Sequence, residues 1–397
     1  MLNFIREIRD LIRFFRNAPN TPVMFYAEHE GYFPNFEGVL AELLGPGTEP
    51  VAYVTSSPRD PIFNRKDARL ETYYVKHLFF LLMLFLKCRV CVMTMPDLHL
   101  FHIQRSIYPV HYVYMFHSLV STHMIYRKHA FDHYDSILCA GPHHVREIRA
   151  FEQRHNLKPK ELAQGGYYRL ERIYNRFREY RAGHPRAQRK QPLILIAPSW
   201  GPQNILEVCG EELTGILLDS GFDVIVRPHP ETVRKTPALV NRLEKKFKDR
   251  SGFLLERSIA TDDSIHASDL LISDCSGIAF EYGFGTERPV VFCNVPAKVR
   301  NPDFEELNIP PMELALREQI GRIADIRDLA AVPAMIREMT AHREEYIDKI
   351  RLLRESYVFD FGRSSRVAAE HIRGKAQQEN MADTQAQPML VTTEGIR

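Results

Sequence analysis

Two short stretches of the chain place polar side chains directly after runs of apolar residues. In the first, "VIVRPHP", Arg227 and His229 follow a predicted strand, and the neighbouring prolines restrict the backbone. Ligands of open α/β sheets bind beyond the carboxyl ends of the strands, so both side chains are placed to meet one. A guanidinium offers a planar set of donors to phosphate oxygens, and an imidazole can donate to the same phosphate or pass a proton to a leaving group.

The second stretch, "LLISDCSGIAFEYGFG", joins another predicted strand to a helix. Gly277 permits close backbone approach, and the free amides and positive dipole end at a helix start favour an anion. Ser276 adds a hydroxyl, and Glu281, one turn into the helix, can accept hydrogen bonds from ribose hydroxyls. Asp274 or Ser276 could equally be an ordinary helix cap, and "RPHP" an ordinary strand end. Because the two stretches occur together in one half of the chain, they favour a nucleotide-diphosphate site.

Length and composition indicate a globular protein of two domains. The chain has 397 residues, of which 45% are hydrophobic and 26% charged, which is typical of soluble proteins too long for one core. Its formal net charge of +2 argues against a dedicated nucleic-acid binder. The six cysteines show no disulfide-like spacing and predict reduced thiols in a cytoplasmic protein, with Cys88 and Cys91 buried rather than bound to zinc.

Neither a secretory signal nor a transmembrane helix is predicted. Charges interrupt the first apolar residues, and the longest apolar run, "LFFLLMLFL", is far shorter than the roughly 20 residues that a bilayer requires.

From Pro22 onward, apolar strands alternate with helical segments. The predicted strands of the first half are "PVMFYA", "PVAYVTSS", "RVCVMTM", "VHYVYMFHS" and "SILCAG", and those of the second are "PLILIAPSW", "FDVIVRPHP", "GFLLE", "DLLISD" and "RPVVFCN". Apolar strands separated by helices indicate parallel sheets covered on both faces. The pattern therefore predicts an α/β protein with two Rossmann-like doubly wound domains facing a cleft, the layout of nucleotide-sugar transferases.

Changes in composition suggest boundaries along the chain. The segment between Ala150 and Gln191 is charged and helical, and the chain becomes poor in apolar residues after Gly374. The predicted segments are an amphipathic helix (1–20), a first Rossmann-like acceptor domain (21–165), a linker (166–190), a second, donor nucleotide-binding domain (191–345), C-terminal helices (346–373) and a disordered tail (374–397).

The first helix has two chemically distinct faces. Its predicted apolar face consists of Phe4, Ile5, Ile8, Leu11, Ile12 and Phe15, and its basic face of Arg6, Arg9, Arg13 and Arg16. Such a helix can lie on an anionic membrane surface, or it can pack on its own protein with the arginines in solvent. The sequence leaves both alternatives open.

Several motifs together resemble the CDP-glycerol:poly(glycerophosphate) glycerophosphotransferases, which build teichoic-acid-like and capsular polymers. The motifs are "FHS" (116–118), "CAGPHH" (139–144), "GYYRLE" (166–171), "APSWG" (197–201), "RPHP", "SDCSGIAFEYGFG" and "RPVVF". The likeness spans roughly residues 110–361. It implies a GT-B fold, a CDP-alcohol donor, a lipid-linked polymer as acceptor and a peripheral place on the inner face of the cytoplasmic membrane.

The resemblance also implies roles for individual residues. The catalytic base of the family corresponds to His117, although "FHS" stands here where the family has a Trp-His-Gly-like context, and the second family histidine corresponds to His229. Family contacts to the phosphates and ribose of the donor correspond to Ser276, Gly277 and Glu281.

Other residues complete the predicted site. Ser199 and Trp200 of "APSWG" are expected to contact the donor, together with Arg227 and Asp274. Glu28 and His29 end the first strand, where the acceptor is expected to bind.

We expect neither a cofactor nor a metal ion, because fixed cationic donors can replace one and no D-x-D-like acidic pair is evident. His129 and His133 have helical i, i+4 spacing but no evident third ligand. Two other functions remain open: a GT-B enzyme using a nucleotide sugar, such as a UDP-sugar transferase or 2-epimerase, and a catalytically silent relative that binds polymer or partners. A preference for CDP over UDP distinguishes the first of these from a CDP-alcohol enzyme.

Overall fold

The computed structural model describes residues 2–17, 21–45, 47–101, 103–184, 191–257 and 261–386, which form two α/β domains. The strands of the first sheet are β1 (Val23–Ala27), β2 (Val51–Thr55), β3 (Leu70–Tyr74), β4 (Val90–Met93), β5 (His111–Met115), β6 (Ser136–Cys139) and β7 (Glu161–Gln164). Those of the second are β8 (Leu193–Ile196), β9 (Asp223–Val226), β10 (Phe253–Leu255), β11 (Leu270–Ser273), β12 (Val290–Cys293) and β13 (Gly321–Ala324).

Helices cover the sheets and connect the domains. Those up to the second domain are α1 (Leu2–Asn17), α2 (Phe33–Leu43), α3 (Phe79–Leu84), α4 (Thr122–Ile125), α5 (Pro142–Arg154) and α6 (Tyr168–Gly183). Those between β8 and β12 are α7 (Ile205–Val208), α8 (Gly210–Asp219), α9 (Pro230–Lys235), α10 (Pro237–Phe247), α11 (Asp263–Ala267) and α12 (Gly277–Thr286). The last are α13 (Met312–Ala315), α14 (Arg317–Ile320), α15 (Val332–Ala341), α16 (Arg343–Tyr357) and α17 (Ser364–Ala386).

Both sheets are parallel, and both have the strand order of a doubly wound domain. The first runs β3-β2-β1-β4-β5-β6-β7 and the second β10-β9-β8-β11-β12-β13. In each sheet, successive strands are therefore added first on one side of the first strand and then on the other. Ligands of such folds bind at the point where the order changes side. The central strands are buried on both faces, which explains their continuous apolar sequences. The predicted pair of doubly wound domains is confirmed.

Three edge strands were not predicted: β3, β7 and β13. Their sequences, "LETYY", "ELAQ" and "GRIA", mix polar or small residues with apolar ones because an edge strand is only partly buried. The apolar run of residues 78–86 contains the short helix α3, which follows β3.

The first helix packs on the protein through Glu7, Asp10, Leu11 and Phe14, so only part of its predicted apolar face is buried. Glu7 accepts hydrogen bonds from the backbone amides of Lys76 and Leu78, both at 2.7 Å, and Asp10 accepts one from Tyr74 at 3.1 Å. The edge strand β3 and the segment after it thus find partners on α1. The four apolar residues left in solvent are Phe4, Ile5, Ile8 and Ile12, whose exposed fractions lie between 39% and 65%.

The last described helix, α17, returns to the first domain. Ala368, Ala369, Ile372 and Ala376 are buried in the hydrophobic cluster that also contains the β1 and α2 side chains, and Lys375 pairs with Glu161 of β7 at 2.5 Å. The expectation of disorder from residue 374 is therefore wrong for the turn that carries these contacts. Residues 387–397 lie outside the described residues.

The predicted linker, 166–190, contains α6, which packs against α2 of the first domain and α12 of the second. Gly285 of α12 permits the close contact between α12 and α6, since a Cβ atom at 285 would collide with Ile173 of α6. Residues 185–190 lie outside the described ranges. Throughout the described chain, no helix has both the length and the apolar character needed to cross a bilayer.

Candidate active site

The two domains meet at the carboxyl ends of β5 and β11. Ser118 follows β5, and its hydroxyl occupies the place that a Cβ atom of Gly277 would need at the start of α12. A methyl group at position 277 would therefore require the Ser118 hydroxyl to rotate away. This contact brings the "FHS" and "SDCSG" motifs together.

His117 precedes Ser118 and is enclosed on most sides, although it keeps some contact with solvent. Burial lowers the pKa of His117 to about 4, against a hydrogen bond with the backbone of Thr94 that raises it. Its Nδ1 has no hydrogen-bond partner among the described residues. The Tyr32 ring packs against the His117 ring in an edge-to-face arrangement, with 5.1 Å between the ring centroids. The ring is therefore neutral near pH 7, as a proton acceptor must be.

His229 comes from the second domain and caps α9. Its Nδ1 accepts a hydrogen bond from the Glu231 amide at 3.1 Å, so in the neutral ring the proton lies on Nε2, which can donate to a ligand. Burial lowers the pKa of His229 to about 4, and the positive charges of Lys298 and Lys235 lower it further. His117 also affects the pKa of His229, so the two side chains lie near each other in the cleft.

At the start of α12, Ser276 is the N-cap residue, but its side chain makes no capping hydrogen bond. Its hydroxyl and the first amides of the helix are thus available to an anion. Asp274 is buried and accepts a hydrogen bond from the Ser199 amide at 2.8 Å. Asp274 therefore fixes the "APSWG" loop to the end of β11, which is a positioning role and not the predicted contact with the donor.

Arg227, which is predicted to contact the donor phosphates, is held by several protein groups. Its guanidinium is buried, donates to the Ser264 hydroxyl and the Thr261 carbonyl at 2.9 Å each, and lies 3.5 Å from a Glu256 oxygen. All its described partners belong to the second domain. Arg227 therefore supports the loop beyond β9 through one donor of each terminal nitrogen, and a direct contact with the donor phosphates stays a prediction.

Glu281 is also occupied by protein partners. Tyr167 donates to it at 2.6 Å and Arg169 at 3.0 Å, and Arg169 also pairs with Asp262 at 3.4 Å. The Tyr167 hydroxyl lies 2.8 Å from the His117 carbonyl as well. Glu281 thus connects "GYYRLE" and α12 to the backbone of His117, in place of the predicted contact with ribose.

Trp200 has a cationic environment that the sequence analysis missed. The Nζ atoms of Lys298 and Lys235 lie 3.5 and 4.3 Å from the ring centroid, the Cζ of Arg300 lies 5.9 Å from it, and the His229 ring 6.1 Å. The signal was present, because Lys298 and Arg300 follow the apolar strand β12 in "VVFCNVPAKVR". Ligands bind beyond the carboxyl ends of strands, and this holds for the residues after β12 just as it does for Arg227 after β9.

The residues after β1 also line the cleft. Burial among protein groups and the nearby Asp97 raise the pKa of Glu28 to about 7, although its side chain remains open to solvent on one side. His29 is exposed, and its Nδ1 accepts the Gly31 amide at 3.1 Å as the cap of a short 3₁₀ turn. Glu28 therefore remains an acceptor-side candidate, and His29 is engaged locally.

In the part of the chain that the structure describes, no three His, Cys, Asp or Glu side chains are grouped as metal ligands would be. His129 pairs with Asp132 at 2.7 Å, and the His133 ring lies against His99. All six cysteines are free and buried.

A set of buried polar contacts joins the domains beside the cleft. Ser121 donates through its amide and hydroxyl to Glu313 at 2.9 and 2.7 Å, and His123 Nε2 lies 2.9 Å from the Ile309 carbonyl. The Asn301 amide group donates to the His123 carbonyl at 2.9 Å. These contacts attach the segment after β12, which carries Lys298, to α4 of the first domain.

Comparisons with known proteins agree with this geometry. Residues 117–299 match the family model of CDP-glycerol:poly(glycerophosphate) glycerophosphotransferase, as the motifs predict. The match begins at His117, contains His229 and α12, and ends one residue after Lys298. No curated protein sequence matches the chain.

Among solved structures, the wall teichoic acid polymerase TagF superposes with a TM-score of 0.60 at 13% sequence identity, covering 95% of this chain and 99% of that one. The UDP-GlcNAc 2-epimerase of Neisseria meningitidis, bound to UDP-GlcNAc, gives 0.54 at 11% identity, covering 89% and 99%. A glycosyltransferase from Rickettsia africae gives 0.51 at 9% identity, covering 90% and 99%. At these identities the likeness is one of fold, and it is the GT-B fold.

Proposed function

We propose that the chain, whose residues 117–299 match the family model of CDP-glycerol:poly(glycerophosphate) glycerophosphotransferase, transfers glycerol phosphate or a related alditol phosphate from a CDP-alcohol. The acceptor is a hydroxyl of a teichoic-acid-like or capsular polymer linked to lipid. The observation that carries the proposal is the contact of Ser118, next to His117, with Gly277 at the start of α12, together with the proximity of His229 to His117.

In the proposed reaction, the acceptor hydroxyl attacks the phosphorus that carries the alcohol. A new phosphodiester forms, the bond to the bridging oxygen breaks, and CMP leaves. His117 takes the proton of the attacking hydroxyl, which is a role that suits a neutral imidazole at pH 7. The nucleophile is an ordinary alcohol, so general-base assistance is worth roughly 100-fold to 10,000-fold in rate.

The departing CMP develops negative charge on its phosphate. His229 donates from Nε2 while its Nδ1 remains held by the Glu231 amide, and the Ser276 hydroxyl and first α12 amides add further donors. These groups are fixed before the substrate binds, so little reorganisation is needed during the reaction. Lys298 adds a positive charge beside His229.

The proposal is tested with the purified full chain, membranes from the source cell and a panel of labelled CDP-alcohols. Release of CMP together with transfer of label to polymer is expected. Calorimetry with CDP and UDP separates this function from that of a nucleotide-sugar enzyme, because a clear preference for UDP would reject a CDP-alcohol donor. Normal polymer in cells carrying inactive histidine variants would instead favour a binding role without catalysis.

We further propose that the enzyme works at the inner face of the cytoplasmic membrane and docks there through α1. The exposed side chains Ile5, Ile8 and Ile12 form an apolar strip, and Arg9 and Arg16 beside it are also exposed. Apolar side chains bordered by arginines suit an anionic lipid surface. The acidic side of α1 is turned inward and paired with backbone amides, so it does not repel such a surface.

A further inference from the structure

A row of cations crosses the mouth of the cleft from the second domain to the first. We name it the cationic row, and its members are Lys235, Lys298, Arg300 and Arg127. Lys298 and Lys235 lie over the Trp200 ring, at 3.5 and 4.3 Å from its centroid, and Arg300 lies 5.9 Å from it. One aromatic ring thus holds three positive charges near His229.

The row continues into the first domain. The Arg300 amide donates to the Met124 carbonyl at 3.0 Å, which ties this end of the row to α4. Arg127 follows α4, and its guanidinium lies 5.2 Å from the exposed Phe101 ring. Burial raises the pKa of Asp97, and the positive charges of Arg127 and Arg300 lower it.

Most members of the row have no anionic partner. Within the described ranges, no carboxylate lies within ion-pair distance of Lys298, Arg300 or Arg127, whereas Lys235 pairs with Glu231 at 2.8 Å. Burial, and next the charge of Arg300, lower the pKa of Lys298 to about 8. The carboxylates of Asp97, Asp274 and Glu231 offset only part of this positive charge, so the row favours a bound anion.

We propose that the cationic row binds successive phosphates of the acceptor polymer and guides its terminal hydroxyl towards His117. This inference rests on the proposed function and names a second anion subsite for it. The row begins at His229, where the donor phosphates are expected, and continues outward to exposed residues of the other domain. Such an extended set of charges matches a chain with one negative charge in each repeating unit, and it is longer than a single diphosphate requires. Trp200 and Phe101 offer apolar surfaces to the carbon backbone between the phosphates.

The test compares the binding of two probes to the full chain by calorimetry: a synthetic glycerol phosphate hexamer and CDP. In Arg127→Gln/Arg300→Gln, which leaves Lys298 beside His229 intact, we expect hexamer affinity to fall by roughly tenfold or more, since each lost charged contact is worth about 1 kcal/mol. CDP affinity should change by less than about threefold. The matched control is Lys245→Gln/Lys248→Gln, which removes two exposed cations from the region of α10 in the same domain and should affect neither probe. Arg127→Lys/Arg300→Lys retains both charges and should keep most of the hexamer affinity.

Several results would overturn the inference. An equal loss of CDP and hexamer affinity would assign the row to the donor phosphates, and an unchanged hexamer affinity would remove its role altogether. If the control variant lost as much hexamer affinity as the row variant, the effect would come from the net charge of the protein and not from the row. Failure of the proposed function looks different: the wild-type chain would bind the hexamer through the row but neither bind CDP nor release CMP from any CDP-alcohol.

Discussion

Gly277 at the start of α12 lies against Ser118 of the opposite domain, so closely that a Cβ atom at 277 would collide with the Ser118 hydroxyl. Ser118 follows His117, and Gly277 follows Ser276, so this one contact sets the distance between the proposed base and the proposed anion site. The packing of the cleft is therefore part of its chemistry.

Gly277→Ala should force the Ser118 hydroxyl into another rotamer, and we expect CMP release to fall by at least roughly tenfold and stability to fall by about 1 kcal/mol. Adding Ser118→Ala should restore much of both, since the Ser118 Cβ lies 3.5 Å from the position of the added methyl group, an ordinary contact distance. Gly374→Ala is the control, as nothing lies within 4 Å of its added Cβ. Steady-state assays and urea unfolding check this; failure of the double variant to recover would contradict the steric explanation.

His229→Asn should separate capping from chemistry. An asparagine can still cap α9 by accepting the Glu231 amide, but it does not reproduce the Nε2 donor of the imidazole. We expect a roughly 100-fold or greater fall in turnover with a stability close to wild type, whereas His229→Ala should lose turnover and about 1 kcal/mol of stability as well. Thermal unfolding and CMP release measured on both variants decide this, and near-normal turnover in the asparagine variant would exclude a role in transition-state stabilisation.

The activity should persist at unusually low pH for a histidine base. A base must be unprotonated, and burial lowers the pKa of His117 to about 4 instead of its ordinary 6.5. Activity is thus present above the lowered pKa and lost as the pH falls through it. We expect kcat/KM to stay nearly constant between pH 7 and about pH 5, provided that unfolding is monitored in parallel. An acidic limb centred near pH 6.5 would show that the base is a more exposed group.

Glu281→Gln should act mainly through structure. The carboxylate is buried and paired with Arg169 and Tyr167, so neutralising it removes a buried ion pair, at a cost of about 3 kcal/mol. Because its hydrogen bonds are already made to the protein, we expect CDP and 2′-deoxy-CDP to lose affinity by the same factor. A loss confined to CDP would instead show a direct contact with the ribose 2′-hydroxyl.

The two sides of α1 should respond differently to substitution. Ile5→Ser/Ile8→Ser/Ile12→Ser should weaken binding to anionic phospholipid vesicles by roughly tenfold or more, with little effect on stability, because these side chains are exposed. Glu7→Gln should do the reverse, since its carboxylate holds two backbone amides: about 1 to 2 kcal/mol less stability and unchanged vesicle binding. Vesicle sedimentation and urea unfolding measure both; unaltered sedimentation of the triple variant would reject α1 as the docking element.

The sequence by itself determined the architecture of the two sheets and the types of residue at the cleft. Buried parallel strands need continuous apolar runs, and their polar ends lie at one edge of the sheet, so β5, β9 and β11 could be recognised with His117, His229 and Ser276 beyond them. Only the tertiary structure decided which charged side chains are free. Arg227 and Glu281 find partners elsewhere in the chain, such as Glu256 and Arg169. Lys298 is brought beside Trp200, and α1 turns its carboxylates inward because unpaired amides of β3 and the following segment lie there. A local sequence pattern fixes where a side chain lies along its own strand or helix, but its hydrogen-bond partners come from distant segments and appear only when the chain has folded.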